Sequence, residues 1–389
     1  MGGQRKEQKK FNELVKELKD KKFRYEQKDE KQINWSKYDK AQIHEVNDML
    51  LLIAEYVDEA AIRLGIEKNP EKGPGRPSYP PDDVAKAVLM QQYLCFANRS
   101  TEGLVILFKE KIRLSTTFSY KTIERGYEDP FVTLILNEVF KMTQEPISDK
   151  EHSFAIDGTC LPTSIKQNWE NDKKKLAREK KESEKNETIQ KEEEPNKPTQ
   201  TDVKKEDYKE EKTDKNEKET KKYEKMIAVC GTTYKLITSV TFTENPYANE
   251  SPFFVPLLRF THENYEHIDL VAGDAAYISR LNCTTVSSMG AIPRIYPKEG
   301  LTLKMRGSSA WTEMLLTLIN DPQKWLEEYH CRSISETVNS TFKRDFPAPL
   351  RKKINVRRKQ EAFLRVCDYD LKRLCYLRYL EDLDVRIGG

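Results

Sequence analysis

The chain has 389 residues, of which 37% are hydrophobic and 34% are charged, so it is long enough for two or three domains with sizeable cores. Its longest apolar run, Met49 to Ala54, is far too short to cross a bilayer. The seven cysteines are dispersed and never form a C-x2-C pair, which favours a reduced, cytoplasmic compartment. The formal net charge of +3 is too small to indicate a nucleic-acid partner by itself.

The first part of the chain is predicted to be helical. Residues 1–34 are rich in lysine and predict a basic arm or a loosely held helix. Within residues 35–150, apolar residues at helical spacing predict a helix over 38–65, and Pro81 begins another that runs toward Ala97. Two shorter helices follow, one capped by Ser100 or Thr101 and one over 119–125. Such helices occur both in DNA readers and in plain scaffolds, so both roles stay open here.

From His152 onward the hydrophobic pattern changes from helical to strand-like. The runs HSFAID, KMIAVCG, YKLITSVTFT and HIDLVAGD are short, rich in Ile, Val, Phe and Thr, and bounded by Gly, Asn or Asp. These runs predict the strands of a sheet. Two of them end in an aspartate followed by small residues, Asp157 and Asp274. Because Asp-Gly is a common turn dipeptide, a simple turn at Asp157 is the competing interpretation.

A highly charged tract separates the first predicted strand from the second. Residues 170–224 contain 35 charged residues among 55, with almost no aromatic or branched apolar side chains. Such a segment buries too little apolar surface to offset the entropy lost on ordering. The tract therefore predicts a disordered, low-complexity insertion in the loop between two strands.

The segment Tyr329 to Lys343, YHCRSISETVNSTFK, combines an apolar and a polar helical face. If it is helical, Tyr329, Arg332, Glu336 and Lys343 fall within one arc of about 60°. Ile334, Val338 and Phe342 project from the opposite side and predict the packed face. A solvated surface helix is the alternative interpretation for this segment.

Asp157, Asp274 and Glu336 together predict a metal site. Strand ends can place two carboxylates side by side, and a helix packed across them can add a third. Three carboxylates in one place would repel each other without divalent cations, so we expect two Mg²⁺ or Mn²⁺ ions. Two such ions support in-line phosphoryl displacement. The sequence lacks the zinc H-E-x2-H spacing, the phosphate-binding G-x4-G-K-[ST] loop and the G-x-S-x-G nucleophile turn.

Basic residues close to Glu336 predict contacts with a phosphodiester backbone. Tyr329 is expected to donate a hydrogen bond to a phosphate or to stack on a base. The predicted cationic contacts are Arg332, Lys343, Arg344, Arg351, Lys352 and Lys353. A solvated basic surface is the competing interpretation for this run.

These segments resemble the DDE transposases of prokaryotic insertion sequences that carry a Y-R-E-K signature. The resemblance lies in FAIDGT around Asp157, VAGDAAY around Asp274 and YHCRSISETVNSTFK, with flanking similarity in GRPSYPPDDVAKAVLMQQYL, ESPFFVPLL and CDYDLKRL. It spans residues 75–380 approximately, and the C-terminal signature is its most specific part. The charged tract departs from the family pattern, and Asp370 stands where relatives often carry Asn.

The resemblance implies an RNase H-like catalytic domain, a mixed sheet flanked by helices, over residues 151–350. Residues 281–328 would be an insertion before the catalytic helix, and residues 351–389 a basic helical tail. Asp157, Asp274 and Glu336 would hold the metal ions, Arg332 and Lys343 would hold DNA phosphates, and Tyr329 would act near the cleaved end. The implied enzyme acts in the cytoplasm at the nucleoid, as a homodimer on paired transposon ends.

Two other functions remain open at this stage. A non-catalytic DNA-binding protein derived from a transposase would retain the fold without cutting DNA. A general nuclease of similar fold would cut DNA without regard to the end sequence.

Overall fold

The computed structural model describes residues 2–20, 33–66, 78–164 and 222–385, together with Lys173. Its first part is helical, with α1 (Gly2–Lys19), α2 (Trp35–Arg63), α3 (Pro81–Tyr93), α4 (Asn98–Leu107), α5 (Tyr120–Gly126) and α6 (Pro130–Met142). The predicted charged insertion of residues 170–224 lies outside the described residues, apart from Lys173 and residues 222–224. Within the described part, no helix is both long enough and apolar enough to cross a membrane.

A five-stranded mixed sheet follows the helical region. Its strands are β1 (Ser153–Pro162), β2 (Tyr223–Gly231), β3 (Ile237–Thr243), β4 (Leu270–Gly273) and β5 (Ile292–Ile295), in the spatial order β3-β2-β1-β4-β5. Strands β1, β2 and β3 pair antiparallel, whereas β4 pairs parallel with both β1 and β5. The mixed sheet, preceded by helices and flanked by them, confirms the predicted fold class.

Helices connect and cover the sheet. Helix α7 (Ser251–Asn264) joins β3 to β4, and α8 (Arg280–Ser288) joins β4 to β5. After β5 come α9 (Ser309–Asn320), α10 (Pro322–Tyr329), α11 (Ser333–Asp345) and α12 (Asn355–Leu380). Strand β5 falls within residues 281–328, the range expected as an insertion, so this part of the range belongs to the sheet.

Helix α12 joins the helical region to the sheet. It packs along α2, α3 and α6, and it also contacts β3 and α11. Buried residues such as Leu364, Leu371 and Leu374 form its inner face. The sheet and the helical region therefore share one continuous core.

The sequence predicted several helices of this region close to their observed bounds, but it gave the wrong cap for α4 and missed α6. Helix α4 begins at Asn98, so Thr101 lies inside it, where its hydroxyl donates to the Ala97 carbonyl at 2.9 Å, and the predicted cap is wrong. Helix α6 was not predicted, although Asp129 caps it by accepting from the Phe131 and Val132 amides. Its buried residues Val132, Ile135, Leu136, Val139 and Phe140 follow helical spacing, so the sequence did contain the signal for this helix.

The N-terminal segment, predicted as an arm or a loosely held helix, contains a packed helix. Phe11, Leu14, Val15 and Leu18 of α1 are buried, and α1 packs against α9. The Gln8 side chain donates to the Leu301 carbonyl and accepts from the Leu303 amide, both at 2.9 Å. Its lysine-rich face remains exposed, in keeping with the charge pattern.

Asp370 is a buried carboxylic acid at the contact between α12 and β3. Its Oδ1 accepts a hydrogen bond from the Ile237 amide at 2.8 Å, while Oδ2 has no hydrogen-bond partner among the described residues. Burial raises the pKa of Asp370 well above its usual value, against the opposing effect of the Ile237 amide. The folded protein therefore favours the neutral acid.

We expect Asp370→Asn to stabilise the protein at pH 8 but not at pH 4.5. An unfolded Asp ionises near pH 3.9, so between that pH and the raised folded pKa the unfolded chain has lost the proton that the fold retains. Stability therefore falls as pH rises through this window, and an amide removes that loss. The gain at pH 8 should appear as a higher urea concentration at the midpoint of unfolding.

Urea unfolding of both proteins at the two pH values, followed by circular dichroism, measures this difference. The exposed Asp384→Asn serves as the control and should change neither value. Equal destabilisation by Asp370→Asn at both pH values would show that the neutral acid is not the favoured form.

Candidate active site

Asp157 and Asp274 lie side by side where the parallel and antiparallel halves of the sheet meet. The parallel pairing of β1 with β4 ends at Ile156 and Gly273, so the two aspartates are the next residues on neighbouring strands. Asp157 does not end its strand, because β1 continues to Pro162 in antiparallel pairing with β2. The turn interpretation of Asp157-Gly158 is therefore wrong, while the predicted closeness of the two aspartates has a clear basis in the register.

Asp274 starts a turn directly after β4. Its Oδ1 accepts a hydrogen bond from the Ala276 amide at 2.7 Å and caps the short 3-10 turn Ala275–Tyr277. Burial raises the pKa of Asp157; Arg332 and the Gly158 amide oppose the shift, while the negative charges of Asp274 and Glu250 add to it. The carboxylates of Asp157, Asp274 and Glu250 therefore lie close enough for their negative charges to affect one another.

The signature segment is two helices with a break rather than one continuous helix. Helix α10 ends at Tyr329, a 3-10 turn spans His330–Arg332, and α11 begins at Ser333. The predicted packing face is nevertheless present, since Val338 and Phe342 are buried and Ile334 packs partly buried against the core. The 3-10 turn contacts β1 and β4, and Arg332 still pairs with Glu336.

Arg332 bridges two of the three predicted catalytic carboxylates. Its Nη1 pairs with Glu336 Oε1, and its Nη2 lies 3.4 Å from Asp157 Oδ1. Asn339, one turn beyond Glu336, donates to Asp157 Oδ2 at 3.2 Å. Asn339 was not predicted as a site residue, although its i+3 spacing from Glu336 places it on the same side of the helix.

Asp157, Asp274 and Glu336 fit a divalent cation in chemistry, because carboxylate oxygens are the ligands that Mg²⁺ and Mn²⁺ prefer. Among the described residues, however, no three Asp, Glu, His or Cys side chains form a ready-made metal cage. The guanidinium of Arg332 lies between Asp157 and Glu336 and supplies positive charge there. The Glu336 side chain is 60% exposed, so most of it is not held by packing.

Tyr329 belongs to an aromatic cluster beside the carboxylates. Its ring centroid lies 5.3 Å from those of both Trp325 and Tyr296. Burial raises the pKa of Tyr329, with Arg332 opposing the shift, so its hydroxyl remains a hydrogen-bond donor at neutral pH. The role of this phenol in holding a phosphate stays a prediction.

The predicted basic contacts divide into exposed and buried residues. Lys343 and Arg344 are exposed in the last turn of α11, and Arg351 and Lys353 are exposed in the loop before α12. Arg351 also donates from Nη2 to the Cys95 carbonyl at 3.1 Å. These four side chains, together with Arg332, lie on or next to the helix that carries Glu336.

Lys352 faces the protein interior, so its predicted DNA contact is not supported. Its Nζ lies 2.5 Å from Glu124 Oε2 and 2.9 Å from Asn98 Oδ1, and it sits 3.9 Å from the centroid of the Tyr127 ring. Burial lowers its pKa, and the hydrogen bond to Glu124 opposes that effect. Consecutive basic residues do not reveal which one points inward, because the loop has no regular period.

Glu250, just before α7, is a fourth carboxylate near Asp157 that was not predicted. Its Oε1 lies 2.6 Å from Lys225 Nζ, and its Oε2 accepts a hydrogen bond from the Tyr277 hydroxyl at 2.5 Å. The sequence ESPFFVPLL stood out only as flanking similarity. No local pattern marks Glu250, because its partners come from β2 and from the turn after β4.

Comparison with known proteins supports one family. The family profile described as "Transposase DDE domain" matches residues 150–367, more than half of the chain. The match covers all five strands and both helices of the signature segment. No curated protein matches the chain.

Variants of the adjacent residues Lys352 and Lys353 test whether the first side chain is buried and the second exposed. Lys352→Ala should lower the free energy of unfolding by about 1–3 kcal/mol, because it removes a buried donor from Glu124. Arg357 also pairs with Glu124, which keeps the loss below that of a fully orphaned charge. Lys353→Ala, at an exposed position, should change stability by less than about 0.5 kcal/mol.

Urea denaturation of the two variants and the wild type measures both effects. Equal stability of the two variants would mean that Lys352 is not held in the interior.

Proposed function

Since the chain belongs to the DDE transposase family, we propose that it is an active DNA transposase that cleaves at transposon ends and transfers the freed strand into target DNA. The observations that carry this proposal are that Arg332 pairs with both Asp157 and Glu336, and that Asp157 and Asp274 directly follow the last paired residues of two neighbouring strands. The proposed enzyme works as a homodimer on paired ends at the nucleoid.

The reaction requires positive charge around a phosphodiester and a way to activate the attacking oxygen. Asp157, Asp274 and Glu336 would hold two Mg²⁺ or Mn²⁺ ions, which supply activation of the attacking oxygen and stabilisation of the leaving oxygen. Arg332 is suited to a phosphate because its planar fork makes paired hydrogen bonds with such groups. Its present partners are carboxylates, so a DNA phosphate would compete with them for the same donors.

The remaining polar residues would position DNA around this centre. The Tyr329 hydroxyl would donate a hydrogen bond near the cleaved end, and its ring is already fixed by stacking on Trp325. Lys343, Arg344, Arg351 and Lys353 would neutralise phosphates along the strand, because they are exposed close to α11. Their contribution is to position the duplex rather than to read its sequence.

One observation favours the alternative function, a DNA-binding protein without catalysis. Arg332 pairs with both Asp157 and Glu336, which occupies two of the carboxylates that the ions need. If those pairs persist when DNA binds, the chain would bind transposon ends without cutting them.

Glu336→Gln separates the two functions. We expect it to reduce cleavage more than about 100-fold, because loss of a metal ligand should exceed the 10–100-fold effect usual for residues behind the ligands. Cleavage should be measured with Mg²⁺ on DNA that carries the element's own terminal repeats. The exposed Glu327→Gln, on the neighbouring helix α10, is the matched control and should cut like the wild type.

Two results would contradict the enzyme proposal in different ways. If wild type and Glu336→Gln bind the ends equally and neither cuts, the binding function replaces catalysis. If wild type cuts scrambled repeats as fast as matched repeats, the chain is a general nuclease.

Lys343→Ala should weaken DNA binding and reduce the salt dependence of the affinity. Each lost phosphate contact lowers the slope of log K against log salt by about one, for any DNA sequence. Fluorescence anisotropy of labelled DNA measures this slope when the salt concentration is varied from about 50 to about 200 mM.

Lys150→Ala is the control for this measurement. Lys150 is exposed just before β1, seven residues ahead of Asp157. An unchanged slope for Lys343→Ala, or an equal change for Lys150→Ala, would argue against a phosphate contact at Lys343.

A further inference from the structure

We propose that Glu250 is a positioning residue of this site, which holds the Asp157-Gly158 backbone and the turn after Asp274 in register with each other. The inference rests on the proposed function, because it concerns the arrangement of the two aspartates. It assigns a role to a residue outside the signature segments.

Glu250 has fixed partners on both carboxylate oxygens. Lys225 on β2 lies 2.6 Å from Oε1, and the same Nζ donates to the Ala248 carbonyl at 2.9 Å. The Tyr277 hydroxyl donates to Oε2 at 2.5 Å. The Glu250 side chain is only 17% exposed, so these contacts are shielded from water and hold it in one orientation.

The Tyr277 contact extends to Asp274. Tyr277 ends the 3-10 turn that Asp274 caps, and its amide donates to the Asp274 carbonyl at 3.2 Å. The Tyr277 ring is fully buried and lies against Phe254 with centroids 5.8 Å apart. A shift of its hydroxyl would therefore be transmitted to the turn that sets the Asp274 carboxylate.

The Asp157 side of the contact depends on the absence of a side chain at Gly158. A Cβ at this position would lie 2.6 Å from Glu250 Oε1 and 2.7 Å from Oε2, closer than van der Waals contact allows. Gly158 is a paired residue inside β1 and not part of a turn. The glycine is thus explained by the close approach of Glu250 to the strand that carries Asp157.

This arrangement makes Glu250 a positioning residue rather than a group that contacts the substrate. Both its oxygens are engaged and its charge is balanced by Lys225, which leaves it poorly suited to bind another cation. Its contacts instead connect three elements, β1 through Gly158, β2 through Lys225 and the turn through Tyr277. The two aspartates extend from the first and last of these elements.

A double-mutant cycle between Gly158 and Glu250 tests the proposal. Glu250→Ala should raise the Mn²⁺ concentration for half-maximal cleavage by about 10–100-fold, the range usual for residues behind metal ligands, with a smaller effect at saturating Mn²⁺. Gly158→Ala should act in the same direction, because its methyl group displaces the Glu250 carboxylate. The double variant should resemble Glu250→Ala alone, since the displaced group is already absent.

Binding of Mn²⁺ to the full chain, measured by isothermal titration calorimetry, provides a readout independent of cleavage. The melting temperature of each variant should be recorded alongside, because Glu250→Ala leaves the Lys225 ammonium without its carboxylate. Glu250→Gln keeps the acceptor for Tyr277 and should restore part of the Mn²⁺ affinity. Gly103→Ala, where an added Cβ meets nothing within 4 Å, is the control and should change neither readout.

The outcomes separate this inference from the proposed function. If the wild type neither binds Mn²⁺ nor cuts the terminal repeats, both fail. If the wild type does both and Glu250→Ala changes only the melting temperature, Glu250 is merely structural and the positioning role is wrong. Additive losses from Gly158→Ala and Glu250→Ala would show that the glycine does not act through Glu250.

Discussion

The structure around the site depends on balancing several carboxylates that are crowded at one junction of the sheet. Asp157 and Asp274 meet where the parallel pairing of β1 with β4 stops. Glu250, just before α7, lies close to Asp157, and Glu336 on α11 is linked to Asp157 through Arg332. Carboxylates that are partly removed from water and close together favour protonation unless cations compensate them. Here Arg332 pairs with Asp157 and Glu336, while Lys225 pairs with Glu250.

The helix that carries Glu336 is held in place from the far side as well. Buried Glu361 on α12 accepts hydrogen bonds from the Arg351 and Lys352 amides, and it pairs with Arg365 at 3.0 Å. Lys352 then joins this loop to Glu124 on α5. The loop after α11 is therefore anchored between the tail helix and the helical region. Its basic side chains Arg351 and Lys353 remain exposed.

Sequence alone could predict the parts of this site that depend on local pattern. Asp157, Asp274 and Glu336 were predicted as site residues because apolar strands and an amphipathic helix mark their positions, and the mixed sheet followed from the same runs. Glu250 could not be found in this way, because its partners are separated from it along the chain. The break at His330–Arg332 was also missed, since a 3-10 turn preserves nearly the same helical spacing.

The inward orientation of Lys352 also could not be predicted from the local sequence. Its neighbours Arg351 and Lys353 have the same charge, and only the packing of the loop on α5 distinguishes them. The Asp157-Gly158 pair shows the converse error, in which a true local preference gives the wrong structure. The dipeptide favours turns, yet β1 runs through it because β2 pairs with both residues and Glu250 fills the space beside the glycine.

Arg332 determines how DNA and metal ions would influence each other at this site. Its guanidinium pairs with Asp157 and Glu336, so in the proposed enzyme those carboxylates would bind a cation more tightly once the arginine released them. A phosphate that takes over Arg332 removes this competition, and the carboxylates left behind then attract a divalent ion more strongly. Thermodynamic linkage makes the effect reciprocal, because an ion bound to the carboxylates would free Arg332 for the phosphate by the same factor. The same ion pairs that stabilise the isolated chain would thus couple the two ligands of a catalytic complex.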